Sequence, residues 1–307
     1  MTQPLEISAS QRRLALGMMA ASAFLFAAMS AFVKVLVTPQ FTTHPLPASE
    51  VALLRYLGGI IFLIGFGAIG RISLWGVNRK VLWARGVSGG IASALYFVSI
   101  QKTSLTNATL LNYTFVIWGP IIAYFVLKEL FHDRHKIVLP IALAGVVLIT
   151  RPDFGHIHAG DAIALFSGFM AATALVSVRL LRRTETATAI FFYFNLVGVP
   201  IALLLAFATK SSFVLPTYDQ VPFLFGVIAT SVAAQMMMTY GYRALNTAEG
   251  GLLSLTTNVY SALLAFLFFA DPLPWQTLVG GGMILLSAAS LQFTPPNMRR
   301  ADVEPSE

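Results

Sequence analysis

The chain has 307 residues, 57% hydrophobic and 11% charged, with a formal net charge of +7 and no cysteine. So little charge cannot supply the polar shell of a soluble domain of this size, and disulfides and thiolate metal sites are excluded. The surplus positive charge flanks apolar runs and forms no basic stripe, a placement that argues against a nucleic-acid partner.

A helix that crosses about 30 Å of hydrocarbon needs about 20 mostly apolar residues. Ten runs of roughly this kind fill the chain: 14–37, 49–69, 81–101, 106–127, 137–150, 160–181, 187–208, 220–242, 249–270 and 275–292. The fifth is the shortest and needs flanking residues to span. Arg12 and Arg13 before the first run, with Ala28-Met29-Ser30-Ala31 inside it, resemble a signal peptide. The run is too long for a signal core and nine more follow, so it reads as an uncleaved first helix. Barrel strands are about ten residues long and alternate apolar with polar. These runs are longer and apolar on every face, which predicts an all-α integral membrane protein with ten transmembrane helices.

Loop charge sets the orientation. With the N-terminus inside, fifteen Lys and Arg fall at cytoplasmic helix ends, tails and loops, against four outside: Lys34, Lys102, Arg151 and Lys210. The positive-inside rule then predicts that both termini are cytoplasmic. The tails, 1–13 and 293–307, are polar.

The chain also resembles itself. At an offset of 142, Leu110 and Leu111 meet Leu252 and Leu253, Thr114 meets Thr256, Ala123 meets Ala265, and Glu129 meets Asp271. At 145, Ser22 meets Ser167, Phe24 meets Phe169, Ala27 meets Ala172 and Lys34 meets Arg179. Two five-helix repeats follow, 14–152 and 159–292. Five is odd, so the second repeat enters the membrane inverted. Such repeats build alternating-access carriers with a site between the halves near the midplane.

Arg55 lies about 9 Å inside the second run by helical rise. An arginine at that depth costs a few kcal/mol or more unless it is paired, hydrated or snorkelling. One reading has it face a water-filled cavity and an anionic substrate group. The other has it bond backbone carbonyls and hold helices together. Glu50 and Lys34, near the outer ends of neighbouring runs, read either as a gate-like pair or as snorkelling side chains. Arg85 and Arg179 fall close to the cytoplasmic face and require no special role.

Gly89, Ser93, Tyr96 and Ile100 share one helical face, and their repeat partners are Ser231, Gln235, Met238 and Tyr242. Asn112, Val116 and Gly119 share another, with partners Ser254, Asn258 and Ser261. Lipid-facing surfaces avoid Asn and Gln, so these faces look inward. They form either a cavity that binds solute through Asn112, Gln235 and Asn258, walled by Tyr96, Tyr113 and Trp118, or a set of interhelical contacts. The aromatics equally suit an interfacial belt. Gly58-Gly59, Gly89-Gly90 and Gly280-Gly281-Gly282 permit close helix approach. Pro120, Pro140 and Pro200 predict kinks.

Other chemistry is not visible. His44, His132, His135, His156 and His158 all fall in predicted loops, without a metal-ligand set. No carboxylate or histidine cluster lies at membrane depth to act as a hydrolytic centre, so no enzyme is expected. There is no phosphate-cradling glycine loop, hence no direct ATP drive and no expected cofactor. The thirteen carboxylates keep to tails, loops and helix ends, leaving no evident proton relay. Facilitated diffusion or exchange is the expected energetics.

Pro47-Ala48-Ser49-Glu50-Val51 leading to Arg55-Tyr56, Thr106-Asn107-Ala108-Thr109-Leu110-Leu111 through Pro120 to Lys128-Glu129, and Thr247-Ala248-Glu249 through Ala270-Asp271 resemble the drug/metabolite transporter superfamily, specifically EamA-type permeases. The resemblance covers about residues 14 to 292. It implies an inner-membrane carrier of small organic solutes, often an exporter of amino acids or related metabolites, with a central site between the halves. It does not single out a substrate. The expected function is efflux of an amino acid-like or related polar metabolite. The alternatives are import or exchange of an anionic or nucleoside-like solute and, from another class, a membrane-embedded enzyme or scaffold. The expected partners are the lipid bilayer and a small solute, in a monomer or weak homodimer.

Overall fold

The computed structural model describes residues 8–70, 74–103, 105–129, 133–151, 159–210, 213–270 and 272–291. Among them the chain is helical throughout: α1 (Ala9–Val37), α2 (Ala48–Gly70), α3 (Arg79–Lys102), α4 (Leu105–Asn112), α5 (Phe115–Leu127), α6 (Asp133–Thr150), α7 (Ala159–Leu181), α8 (Ala187–Ala208), α9 (Val221–Gly241), α10 (Thr247–Ser254), α11 (Thr256–Phe269) and α12 (Trp275–Ser290). Counting α4/α5 and α10/α11 each as one broken helix gives ten.

Local chemistry accounts for several boundaries. α1 begins five residues before the predicted run because Ser8 and Gln11 close a capping box, each satisfying the other's backbone N–H. Arg12 and Arg13 are thereby helical. α6 begins at Asp133, so the shortest predicted run does gain flanking residues. His135, expected in a loop, lies in its first turn and is buried. His132, His156, His158 and Asp271 lie outside the described residues.

Seven helices are long and apolar enough to cross a membrane, and His135–Thr150 is a shorter apolar helix. α3 and α12 fall outside that count, although both were predicted as spans. α3 packs between α7 and α8, so protein covers it and it can carry Arg85, Ser88, Gly89 and Ser93 without facing lipid. The 16 described residues of α12 pack against α6.

The principal contacts run between distant parts of the chain: α3 with α7 and α8, α1 with α9 and α11, α2 with α8, α6 with α12, and α5 with α7. The main core follows these contacts, through Met19, Tyr56, Leu82, Phe191, Tyr193, Tyr242 and Leu252. In lipid no hydrophobic gain separates a buried leucine from an exposed one, so close packing holds such helices together. Ile61, Phe125, Leu204, Phe207, Phe268 and Leu286 accordingly stay outside as an apolar rim.

The helix interruptions do not fall at the prolines. α5, α6 and α8 run through Pro120, Pro140 and Pro200 without interruption. The interruptions lie at 113–114 and at 255. At each, a threonine hydroxyl turns back on the helix: Thr114 Oγ1 donates to Leu111 O at 2.6 Å, and Thr256 Oγ1 to Leu253 O at 2.7 Å. Such back-bonding competes with the helical ladder and bends it.

Candidate functional site

The breaks bring together part of the predicted set. The Tyr96 hydroxyl lies 2.8 Å from Thr109 Oγ1, and the Tyr113 side chain neighbours both Tyr96 and Asn258. Asn258 is buried and donates from Nδ2 to Leu255 O at 3.0 Å, inside the α10–α11 break. Asn112 ends α4 and turns to α7, donating to Ser167 Oγ at 2.5 Å. Gln235 is buried on α9 beside Ser231 and Met238, and among the described residues its amide has no hydrogen-bond partner. Trp118 points to a different seam. Its ring meets the exposed Phe169 of α7 edge-on at 5.8 Å, and Phe166 stacks on Phe169.

Arg55 is half-buried on α2. Its guanidinium carbon lies 4.5 Å from the Tyr56 ring centre and 5.9 Å from that of Phe194, and Nη1 approaches Met29 Sδ at 4.0 Å. Among the described residues it has no carboxylate partner. Glu50 does not pair with Lys34. Its Oε2 accepts from Val214 N at 3.0 Å, while Lys34 Nζ lies 4.3 Å over the Phe269 ring.

Arg85 corrects the sequence reading, which gave it no role. It is 3% exposed and lies six residues into α3, about 9 Å from the helix end by helical rise. Its guanidinium lies 4.5 Å over Phe194, the ring that Arg55 also approaches. Among the described residues, Nε and Nη1 have no hydrogen-bond partner. The signal was legible: Arg85 stands four residues before Gly89, at the head of the α3 stripe. A Cβ on Gly89 would lie 2.0 Å from Arg85 Nη1, so the glycine leaves the notch that the guanidinium fills.

The bundle end that carries residues 8 and 291, the terminal end, is tied by two buried ion pairs. Arg12 donates to Glu249 through Nη2 at 2.5 Å and Nη1 at 3.1 Å, and Nη2 also reaches Leu291 O at 3.3 Å. Arg179 Nε donates to Glu129 Oε1 at 2.8 Å, and its Nη1 donates to Tyr242 O at 2.9 Å. Glu129 Oε2 accepts from Thr247 N at 3.0 Å. Sequence reasoning missed both pairs, since each joins residues far apart in the chain. Among the described residues, no group of three or more His, Cys, Asp or Glu is placed to hold a metal ion.

A lipid-facing apolar rim around helices whose buried seam carries Asn, Gln, Tyr and unpaired Arg defines a multi-pass membrane protein with a polar interior. Comparison with known proteins makes the class specific. The model of the EamA-like transporter family matches twice, over residues 13–151 and 158–292. The chain belongs to that family. It is 27% identical to solute carrier family 35 member G1 of Mus musculus, over 86% of this chain and 74% of that one. It is 26% identical to the pseudopaline exporter CntI of Pseudomonas aeruginosa strain UCBPP-PA14, over 89% of this chain and 94% of that one. A solved crystal structure superposes with a TM-score of 0.70 at 18% identity, covering 88% of this chain and 96% of that chain. The fold is thus shared with an experimentally determined one.

Proposed function

We propose that this protein exports a small polar metabolite, amino acid-like or related, across the bacterial inner membrane by alternating access between two inverted five-helix halves, 14–152 and 159–292. The halves meet at a seam formed by α3, α4/α5, α9 and α10/α11. The solute contacts Tyr96, Asn112, Tyr113, Gln235 and Asn258 there, with Arg55 nearby and Trp118 bracing the wall toward α7. Solute gradients or exchange drive the cycle, and both termini are cytoplasmic.

The observation that carries this reading is the matched pair of helix breaks. Thr114 and Thr256 stand 142 residues apart, as do their acceptors Leu111 and Leu253. The left-handed caps Lys128 and Ala270 keep the same offset, and their N–H groups donate to Ala123 O and Ala265 O. The packing exchanges in the same sense: α3 with α7 mirrors α9 with α1, and α5 with α7 mirrors α11 with α1. Discontinuous helices related by an inverted repeat are where carriers of this architecture place their substrate. The twofold family match supports the repeat, and the similarity to a named exporter supports the outward direction.

The test is thermal stabilisation of purified protein across a metabolite panel, then counterflow of each hit in proteoliposomes. At least one polar metabolite is expected to exchange. Well-folded protein that moves none of them would sink the reading.

A further inference from the structure

Two positive charges approach one aromatic ring inside the bundle. The guanidinium carbons of Arg85 and Arg55 lie 4.5 and 5.9 Å from the centre of Phe194. Burial of an unpaired guanidinium such as that of Arg85 is costly. The ring face offsets only a small part of this. Among the described residues no carboxylate balances either arginine. Glu129, which acts on the neighbouring Tyr242, is already held by Arg179 and by Thr247 N.

Two side chains here hold unused donors. Among the described residues Arg85 Nε and Nη1 are buried without hydrogen-bond partners, and the Tyr242 hydroxyl, on a residue that is 0% exposed, makes no close hydrogen bond and has Ser254 as its polar neighbour. Tyr56 and Tyr242 are close enough to act electrostatically on Arg85. Ser254 beside it directs its own hydroxyl to Gly250 O. A planar guanidinium edge and a phenol O–H match the acceptors of a carboxylate. Ser93 and Tyr96 follow Arg85 along α3, and Tyr96 reaches Thr109 of α4.

We propose that Arg85 and the Tyr242 hydroxyl, with Arg55 approaching the same Phe194 ring, form the docking point for a carboxylate on the transported solute, which makes the substrate class anionic carboxylated metabolites. This rests on the transport reading above and narrows it.

The test uses full-length protein in proteoliposomes, with L-glutamate, succinate and citrate as anionic probes, L-glutamine as a neutral one and L-lysine as a cationic one. Thermal stabilisation gives binding and counterflow gives movement. At least one anionic probe is expected to bind and exchange. Arg85→Gln is expected to weaken it about tenfold or more, as loss of a charged hydrogen bond does, and Arg85→Lys to restore part of the loss. Because Arg85→Gln risks misfolding, Tyr242→Phe is the companion variant. It removes a hydroxyl that makes no close hydrogen bond among the described residues, so the fold should hold while the anion affinity falls about threefold or more. Anion binding that is unchanged in both variants overturns the site. Exchange of glutamine or lysine with no response to any anion overturns the anionic class and leaves transport standing. Exchange of none of the five probes overturns the proposal, and the wider metabolite panel then decides whether the transport reading fails with it.

Discussion

Arg12 in the first turn of α1 and Glu249 in the first turn of α10 form a double-contact ion pair, 2.5 and 3.1 Å, between residues 237 positions apart. Glu249 also completes the capping box of α10, accepting from Asn246 N at 3.1 Å while Asn246 accepts from Glu249 N at 2.8 Å. One carboxylate therefore both starts α10 and fastens it to α1. The two side chains are 11% and 4% exposed, so solvent screens the pair little. Removal of one partner from a buried pair costs about 3–5 kcal/mol, because the other charge is stranded. Arg12→Ala should lower the unfolding temperature in detergent by many degrees, and Arg12→Lys by less. Equal melting of wild type and Arg12→Ala would show that the pair contributes nothing.

The second pair, Arg179 with Glu129, lies at the same end and joins α7 to the chain just after α5. In the proposed cycle both pairs are latches between halves that must release for the site to open at this end. The chain has no cysteine, so a single engineered thiol reports access without background. Ser254→Cys, beside Tyr242, should react slowly with a membrane-impermeant maleimide applied from the terminal side. Adding Glu129→Gln and Glu249→Gln should speed labelling severalfold. No change in rate, with the fold intact, would count against the latch.

Helix number and the inward stripes were legible because hydropathy over about 20 residues and the 3.6-residue period are local signals. Asn258 and Gln235 are buried as that argument requires. The threonine breaks were harder to read. Proline is the usual marker of a helix defect, whereas a hydroxyl that bonds back to its own helix leaves no special residue type behind. Arg85 was passed over for a different reason. Its distance from the helix end is like that of Arg55, and only the tertiary cover of α7 and α8 makes it a buried charge. The ion pairs join residues 50 and 237 positions apart, and no local pattern announces them.

The break geometry has its own consequence. Valine is close in shape to threonine but cannot donate to the carbonyl three residues back. Thr256→Val, at a buried position, removes the 2.7 Å bond to Leu253 O and leaves that acceptor without its hydroxyl partner. A net hydrogen bond is worth about 1 kcal/mol, so the melting temperature should fall only slightly. If the break shapes the substrate site, counterflow turnover should fall much further, about tenfold, and Thr114→Val should act alike. Turnover unchanged in both would make the breaks structural ornaments of the bundle.

α6 and α12 touch backbone to backbone. A Cβ on Gly145 would lie 2.5 Å from Gly280 O, and a Cβ on Gly280 would lie 2.4 Å from Gly145 O. The approach is reciprocal, and the obstructing atoms belong to main chain that cannot rotate away. Association of helices in lipid depends on such close packing by small residues. Gly145→Ala and Gly280→Ala should each cost about 1–3 kcal/mol through forced separation of the two helices. Gly282 sits one turn-fraction further on α12 with nothing within 4 Å of its Cβ position. Gly282→Ala should therefore be neutral or stabilising by up to about 1 kcal/mol, since alanine is the better helix former. Chemical or thermal unfolding of the three variants in the same detergent separates the two effects. A Gly280→Ala protein as stable as Gly282→Ala would mean that the α6–α12 contact gives way without cost.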